Sequence, residues 1–339
     1  MEDLAQGLTA ECAASALLSP KHSFGKISAK LAALFERTSE RPAPARLPAK
    51  VERIAIIGGG YAGLAAALEL AALGIVCAVF EAAPTLGGRA RRIHYHGLDL
   101  DNGAHILLGA YRQTLRLMRV AGVPDESLWR LPLRLVIKDR MTFCAARLPA
   151  PLHLLVGLLN ATGANVRERY AAVAFMTAMR NARFRLATDT TVAALLADHQ
   201  QGGVLTKYLW EPLCLAALNT PPGEASAQIF LNVLRESLAR GVEDSNLLLP
   251  RVDLSRLFPE AAAQYIRQRG GEVHQLAPVS RIERDGSRFS VISKGRRDDF
   301  DKVICAVGPH QAAELIAPLA ELSSALSLIE RFSYQPICT

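Results

Sequence analysis

A glycine-rich turn early in the chain constrains the fold more than any other feature of the sequence. Before the turn, the apolar run Ile54–Ile57 has the length and β-branched composition of a buried strand. After it, a segment rich in alanine and leucine has helical spacing up to Gly74, and a second apolar run at 75–80 ends in Glu81. Strand, glycine turn, helix, strand and acid are, in this order, the layout of a dinucleotide-binding βαβ unit.

The glycines of this turn have separate predicted tasks. Gly58 permits the tight turn, Gly60 lets the backbone approach a pyrophosphate, and Gly63 lets the helix pack closely on the strand. The helix N-terminus then offers N–H groups and a positive dipole end to the phosphates. Glu81 lies where a carboxylate can accept hydrogen bonds from ribose hydroxyls, which an ordinary glycine turn would not explain. The predicted cradle consists of Gly58, Gly59, Gly60, Tyr61, Ala62 and Gly63.

A second glycine pair, Gly87 and Gly88, follows the acid and is itself followed by Arg89. These residues would bring further N–H groups and a cation to a diphosphate. With this element the chain resembles the flavin-dependent amine oxidase and phytoene desaturase superfamily, which opens with the same order of motifs. The resemblance implies FAD rather than NAD as the cofactor.

Three later motifs narrow the resemblance to one family. The motifs occupy residues 99–111, 147–155 and 209–221. They are similar to the squalene-associated FAD-dependent desaturases of bacterial hopanoid synthesis, now understood as hydroxysqualene dehydroxylase. The similarity runs from about Val51 to the end of the chain. It implies an α/β fold in which a Rossmann-like FAD-binding domain is interlocked with a helical, mixed α+β substrate domain.

The resemblance also assigns further positions to the cofactor. The loop 102–105 would run against the flavin ring, with Gly103 allowing close approach of the backbone. The backbone of Val279 would lie against the adenine, and Gly308 would follow a strand that passes the pyrophosphate. On spacing alone, an Asn-Gly turn and ordinary sheet are the alternatives. The loop consists of Asn102, Gly103, Ala104 and His105.

The resemblance divides the chain into four segments. Residues 1–50 precede it as an extension, with a helical pattern at 27–37 and a Pro/Ala linker after that. Residues 51–111 would form the first segment of the FAD-binding domain, 112–270 the mainly helical substrate domain, and 271–339 a second FAD-binding segment. Members of the family normally continue with a Gly-Asp motif, so a C-terminal truncation is expected.

Composition argues against nucleic-acid and metal binding. The net charge is +7 over 339 residues, and no Lys/Arg cluster is interleaved with aromatic residues. The six cysteines are scattered without metal-ligand spacing, so we expect reduced thiols in a cytoplasmic protein. Cys77 and Cys305 fall in predicted buried strands, and Ser255 is predicted to be a helix N-cap.

The segment 148–159 is almost wholly apolar but too short to span a bilayer. Several arginines follow it between residues 167 and 185. Together these segments fit a peripheral patch that admits a lipid substrate from the inner face of the membrane. A buried core helix followed by a solvated basic helix fits equally well.

The family reaction implied by the resemblance removes the hydroxyl group of hydroxysqualene and gives squalene. A general acid would help the hydroxyl leave, reduced flavin would supply a hydride to the allylic cation, and apolar walls would exclude water. The candidate acids are His105, beside the flavin loop, and Glu211, the one charge in a long apolar run. A structural role for His105 and a solvent-facing Glu211 are the alternatives.

Two other functions stay open at this point. One keeps the cofactor and changes the chemistry to polyene desaturation or amine oxidation, although only 6% of the residues are aromatic, few for an amine-binding cage. The other is a truncated, FAD-poor protein that assists the other squalene-forming enzymes. The expected partners are a hydrophobic isoprenoid substrate, a membrane surface and other enzymes of the squalene pathway.

Overall fold

The computed structural model describes residues 52–103 and 105–334. These residues divide into two compact units. The first, which we call the sheet unit, contains residues 52–103, 105, 113–127 and 250–334. The second, which we call the helical unit, contains residues 106–112 and 128–249. The helix and linker predicted before residue 51, and Ala104 of the predicted flavin loop, lie outside the described residues.

Strands and helices both occur throughout the described chain. The strands are β1 (Ile54–Ile57), β2 (Cys77–Phe80), β3 (Arg92–Tyr95), β4 (Leu98–Asp101), β5 (Leu107–Leu108), β6 (Leu128–Leu131), β7 (Arg134–Ile137), β8 (Met141–Cys144), β9 (Leu247–Pro250), β10 (Glu272–His274), β11 (Val279–Asp285), β12 (Arg288–Ser293), β13 (Arg296–Phe300) and β14 (Lys302–Cys305). The helices are α1 (Tyr61–Ala72), α2 (Arg112–Val120), α3 (Leu152–Leu159), α4 (Val166–Asn181), α5 (Val192–Asp198), α6 (Gly203–Leu205), α7 (Glu211–Leu218), α8 (Ala227–Leu234), α9 (Leu254–Leu257), α10 (Pro259–Gln268), α11 (Pro309–Ile316) and α12 (Ser323–Ile329). Two π-helical turns, Thr206–Trp210 and Arg235–Ala239, follow α6 and α8 in this part of the chain.

A four-stranded parallel sheet in the order β10-β2-β1-β14 forms the centre of the sheet unit. β1 and β2 are buried at every position, which explains why both are continuous apolar runs. α1 connects them and packs against both strands, burying Leu64, Ala67, Leu68 and Ala71. The structure therefore contains the βαβ unit that the sequence predicts.

A three-stranded antiparallel sheet, β11-β12-β13, belongs to the same unit and shares a core with the parallel sheet. Its buried residues Ile282, Val291 and Phe300 join Ile57 and Phe80 in one apolar cluster. The rings of Phe80 and Phe300 are 5.9 Å apart and meet edge to face, an arrangement that favours aromatic pairs.

The boundary between the units differs from the predicted one at residue 270. The sheet unit resumes at residue 250 and therefore includes α9 and α10. α10 buries Ala262, Ala263 and Ile266 and packs on α1. Residues 113–127, which include most of α2, also belong to the sheet unit. A helical pattern shows that a segment forms a helix but not which sheet or helix it packs against.

The helical unit has its own apolar core, which contains Phe175, Trp210 and Phe230. The rings of Phe175 and Trp210 are 5.5 Å apart. Arg169 joins the end of α3 to the start of α4, because its guanidinium donates to the carbonyl oxygens of Ala164 and Leu159. Such fixed contacts orient α3 against the core.

The apolar segment at 148–159 forms mostly a core helix. Leu154 and Leu158 of α3 are buried, whereas Leu148 and Leu152 are exposed. Arg167, at the start of α4, is exposed as well. The described chain contains no helix with the length and apolarity needed to cross a bilayer.

Two smaller predictions need correction. Cys77 is buried, and burial raises the pKa of its thiol to about 11, but Cys305 is exposed. Its strand, β14, lies at the edge of the sheet in the described chain, and an apolar sequence does not distinguish an edge strand from a central one. Ser255 is not the N-cap of α9, because the side chain of Asp253 accepts the capping hydrogen bond from the Arg256 N–H.

The helical unit also buries a histidine whose ionisation should affect stability. His153 on α3 is 0% exposed, and neither ring nitrogen has a hydrogen-bond partner among the described residues. Burial lowers the pKa of His153 below its ordinary value of 6.5, because desolvation disfavours the imidazolium. The unfolded chain therefore binds this proton at a higher pH than the folded chain does.

We expect the free energy of unfolding to fall as the pH drops below about 6.5, with a slope of at most about 1.4 kcal/mol per pH unit for this one proton. His153→Leu should lose part of that slope, whereas His310→Leu, at an exposed position, should keep it. Urea unfolding of both variants and of the unsubstituted protein, at about pH 7.5 and about pH 5.5, gives the change in the free energy of unfolding for each. Equal slopes for His153→Leu and the unsubstituted protein would contradict the assignment.

Candidate dinucleotide site

The turn between β1 and α1 is tight because backbone groups meet there at close range. Gly58 has a φ of +111°, and a Cβ on it would lie 2.7 Å from the carbonyl oxygen of Ala306. A Cβ on Gly63 would lie 1.9 Å from the carbonyl oxygen of Gly58. Both positions therefore require glycine, the first for its conformation and both for space.

Gly60 differs from these two glycines because there is room beside it. It is the N-cap of α1, and no side chain of the described residues caps the helix there. A Cβ on Gly60 would find only Gly88 within 4 Å, with 3.6 Å to its Cα. The space in front of the helix N-terminus is thus bordered by glycine backbone, which suits a phosphate group.

The second glycine loop lies directly beside the first. The N–H of Gly87 donates to the carbonyl oxygen of Gly59 at 2.9 Å, and Gly60 and Gly87 form an isolated parallel bridge. A Cβ on Gly88 would lie 3.1 Å from the Cα of Gly60. The two loops form a cradle whose nearest walls carry no side chains, and this arrangement fits the diphosphate of a dinucleotide.

Glu81 is aimed at the same turn. Its side chain is buried, with 8% exposure for the residue, and its Oε2 accepts the Gly59 N–H at 2.7 Å. Its Oε1 accepts the Ala83 N–H, also at 2.7 Å. An ionised carboxylate accepts about four hydrogen bonds, so both oxygens keep capacity for ribose hydroxyls.

The loop predicted to face the flavin is tied to the second glycine loop. The side-chain amide of Asn102 donates to the carbonyl oxygen of Arg89 at 3.2 Å. The backbone N–H of Asn102 donates to the carbonyl oxygen of Arg91 at 2.9 Å. His105 is half-buried, with Nδ1 3.0 Å from the carbonyl oxygen of Gly103. Because a carbonyl oxygen only accepts, we assign the proton of neutral His105 to Nδ1, which leaves Nε2 to exchange a proton with a ligand.

The remaining predicted residues lie on separate elements. Val279 begins β11 and packs on the core of the sheet unit, and Gly308 is the N-cap of α11. β14, which precedes Gly308, pairs in parallel with β1. Glu211 is an exposed residue at the start of α7 in the helical unit, the position expected from its solvent-facing alternative. The described residues hold no cluster of His, Cys, Asp or Glu suited to a metal ion.

Sequence reasoning missed the residues that hold the second glycine loop. Ser255 is hydrogen-bonded to Leu86 and Arg92, which flank that loop. Ser255 and Leu86 are 169 positions apart, so no local pattern could have connected them. Locally, the sequence shows only that Ser255 stands two positions after Asp253, a residue type that often caps helices. This pattern is common and does not indicate a contact with the second glycine loop.

The helical unit contains an apolar cavity of about 40 Å³. In the described residues its lining is wholly apolar and includes Leu154, Leu158 and Met176. The first π-helical turn contributes Leu209 and Trp210, and the second contributes Leu238. π-helical turns widen a helix locally and often occur at functional sites. The lining can contact a hydrocarbon group and offers it no polar partner.

The sequence profile of flavin-containing amine oxidoreductases matches residues 61–339. The chain belongs to this family. The match confirms the predicted superfamily and FAD as its cofactor, and it places the chain in a family of oxidoreductases.

The chain is similar to two kinds of protein in sequence and to a solved oxidoreductase in structure. Hydroxysqualene dehydroxylase of Zymomonas mobilis is 27% identical over 276 residues, which cover 77% of this chain and 63% of that protein. The chain thus spans less than two thirds of that relative. A probable zeta-carotene desaturase of Synechococcus elongatus is 37% identical over 252 residues, 68% of this chain and 51% of that protein. The crystal structure of an oxidoreductase from Methanosarcina mazei superposes with a TM-score of 0.62 at 18% identity, covering 82% of this chain and 64% of that one, which confirms the α/β fold class.

Two glycine substitutions should separate nucleotide binding from folding. Gly60→Ala places its Cβ at an ordinary 3.6 Å from Gly88 and keeps an allowed φ of −77°, so the variant should fold with a nearly unchanged melting temperature. The added methyl group borders the cradle, and we expect FAD to bind about tenfold more weakly or worse. Flavin fluorescence titration gives the affinity.

Gly63→Ala is the matched comparison, because its Cβ would overlap the Gly58 carbonyl oxygen at 1.9 Å. This variant should have a markedly lower melting temperature even without FAD. If Gly60→Ala bound FAD as tightly as the unsubstituted protein, the diphosphate would not lie against Gly60.

Proposed function

We propose that the protein is an FAD-dependent oxidoreductase that converts hydroxysqualene to squalene. The observation that supports this choice is the extent of the similarity to the Zymomonas mobilis dehydroxylase, which covers 77% of this chain, compared with 68% for the carotene desaturase. Its 276 aligned residues are more than the sheet unit contains, so the similarity extends into the helical unit. A cofactor site alone would not require that extent.

The chain's own residues supply the binding groups. The N-terminus of α1 and the backbone of Gly88 would hold the diphosphate, and Glu81 would accept hydrogen bonds from the ribose. FAD, when bound and reduced, supplies the hydride. The apolar cavity of the helical unit, at about 40 Å³, would accept one small group of the hydrocarbon and exclude water from it.

His105 is the better of the two candidate acids. Its Nδ1 stays hydrogen-bonded to the Gly103 carbonyl oxygen in both protonation states, so the ring keeps its orientation while Nε2 gains or loses a proton. The protonated ring would donate from Nε2 to the departing hydroxyl, which leaves as water. Glu211 is exposed and lacks the apolar surroundings on which its proposed role depended.

The reaction can be tested with purified protein reconstituted with FAD and reduced anaerobically. We expect hydroxysqualene to disappear and squalene to form, as measured by gas chromatography with mass detection. His105→Gln keeps a donor for the Gly103 carbonyl but cannot carry the proton, so it should slow the reaction about a hundredfold or more while FAD affinity stays nearly constant.

Glu211→Gln is the control and should react at nearly the rate of the unsubstituted protein. A protein that binds no FAD after reconstitution would contradict the proposal. Full activity in His105→Gln would instead remove His105 from the mechanism and leave the reaction intact.

A second candidate function is desaturation of a polyene. The specific support is the 37% identity to the probable zeta-carotene desaturase, also over more residues than the sheet unit contains. The two reactions differ in their products and in the flavin state they use. Dehydroxylation needs reduced flavin and removes one oxygen atom from the substrate, whereas desaturation needs oxidised flavin and removes two hydrogen atoms. Hydroxysqualene is offered with reduced flavin and the polyene with oxidised flavin. We expect squalene to form in the first reaction and no desaturated product in the second.

A further inference from the structure

We infer that residues 253–255, which we call the clamp turn, position the cofactor cradle from outside it. The inference rests on the proposed FAD binding and concerns how the sheet unit prepares for it. The cradle is lined by glycine backbone, which has no side chains to hold its own shape. Glu81 and the hydrogen bond from Gly87 to Gly59 hold the two glycine turns to each other. The clamp turn adds contacts to the segments that flank these turns.

Ser255 closes the second glycine loop at both ends. The residue is 0% exposed. Its hydroxyl donates to the carbonyl oxygen of Leu86 at 2.9 Å and accepts the N–H of Arg92, also at 2.9 Å. The segment between these two residues contains Gly87 and Gly88, with φ angles of +118° and +63°. One buried hydroxyl thus fixes the span of a loop that is otherwise conformationally permissive.

Leu254 connects the other two segments through its backbone. Its N–H donates to Oδ1 of Asp101 at 2.8 Å, and its carbonyl oxygen accepts the hydroxyl of Tyr61 at 2.9 Å. Asp101 is the last residue of β4 and directly precedes the predicted flavin loop. Tyr61 is the first residue of α1, directly after the first glycine turn. The same residue therefore sets the position of both loops.

Asp253 holds the clamp turn itself in place. Its Oδ1 caps α9 by accepting the Arg256 N–H at 3.1 Å, and its Oδ2 lies 3.2 Å from Nη1 of Arg92. The carboxylate thus ties α9 to the strand that follows the second glycine loop. None of the clamp-turn contacts uses a glycine N–H of either loop, so the clamp turn acts by positioning. A loop held before the ligand arrives loses less conformational entropy on binding.

The test compares Ser255→Ala with Ser237→Ala. Ser237 is 1% exposed, and its hydroxyl donates to the Val233 carbonyl oxygen at 2.6 Å in the helical unit, so the same atom is removed from an equally buried site. We expect Ser255→Ala to weaken FAD binding about tenfold and Ser237→Ala to leave it unchanged. Melting temperatures of the FAD-free proteins show whether either substitution simply destabilises the fold.

Hydrogen exchange of the FAD-free protein gives a readout that does not require cofactor binding. Amides of residues 86–92 should exchange faster in Ser255→Ala than in the unsubstituted protein, and should be unchanged in Ser237→Ala. If FAD does not bind at all, the proposed function fails while this measurement still decides the role of the clamp turn. Unchanged exchange in that segment, or equal loss of FAD affinity in both variants, would overturn the inference.

Asp101 provides a second pair of variants in case Ser255→Ala does not fold. Asp101→Asn keeps an oxygen that can accept the Leu254 N–H, whereas Asp101→Ala removes it. We expect the asparagine variant to retain most of the FAD affinity and the alanine variant to lose about tenfold. Equal affinities in these two variants would show that this hydrogen bond does not position the cradle.

Discussion

The buried carboxylate of Glu81 organises the candidate site. It accepts the N–H of Gly59, whose carbonyl oxygen in turn accepts the N–H of Gly87. A short chain of hydrogen bonds therefore runs from the acid through the first glycine turn to the second. The N–H groups of Gly59 and Ala83 compensate the cost of burying the Glu81 carboxylate. The folded shape of the first glycine turn is therefore favourable. Glu81 thus has a structural role in the turn besides the ribose contact proposed for it.

The part of the fold around the candidate site that the sequence predicts correctly is local. β1, α1, β2 and Glu81 follow one another within about thirty residues, and each is marked by its own period, composition or turn residue. The boundary at residue 250, the clamp turn and the exposure of Cys305 depend on contacts between distant segments. Ser255 read locally is a capping residue, and only the fold shows that Asp253 takes that role and leaves the serine hydroxyl for Leu86 and Arg92.

The two units differ in what they can offer a ligand. The sheet unit presents backbone N–H groups, a buried carboxylate and a half-buried histidine, all suited to a charged cofactor and a proton. The helical unit presents a cavity whose described lining has no polar group. Under the proposed function this is the division that the chemistry needs, because a hydride and a proton must reach one polar group on a hydrocarbon.

The position of β1 at the middle of the parallel sheet has a consequence for synthesis. One neighbour, β2, follows β1 within a few tens of residues. The other neighbour, β14, comes much later: Arg53, just before β1, and Asp301, just before β14, are hydrogen-bonded although they are 248 positions apart. While the ribosome makes the intervening segments, one edge of β1 has no partner strand and the apolar cluster around Ile57 is incomplete. Closure of such a distant pair is slow and leaves nascent chains prone to association. A nascent chain of this protein should therefore stay prone to association until β14 has emerged.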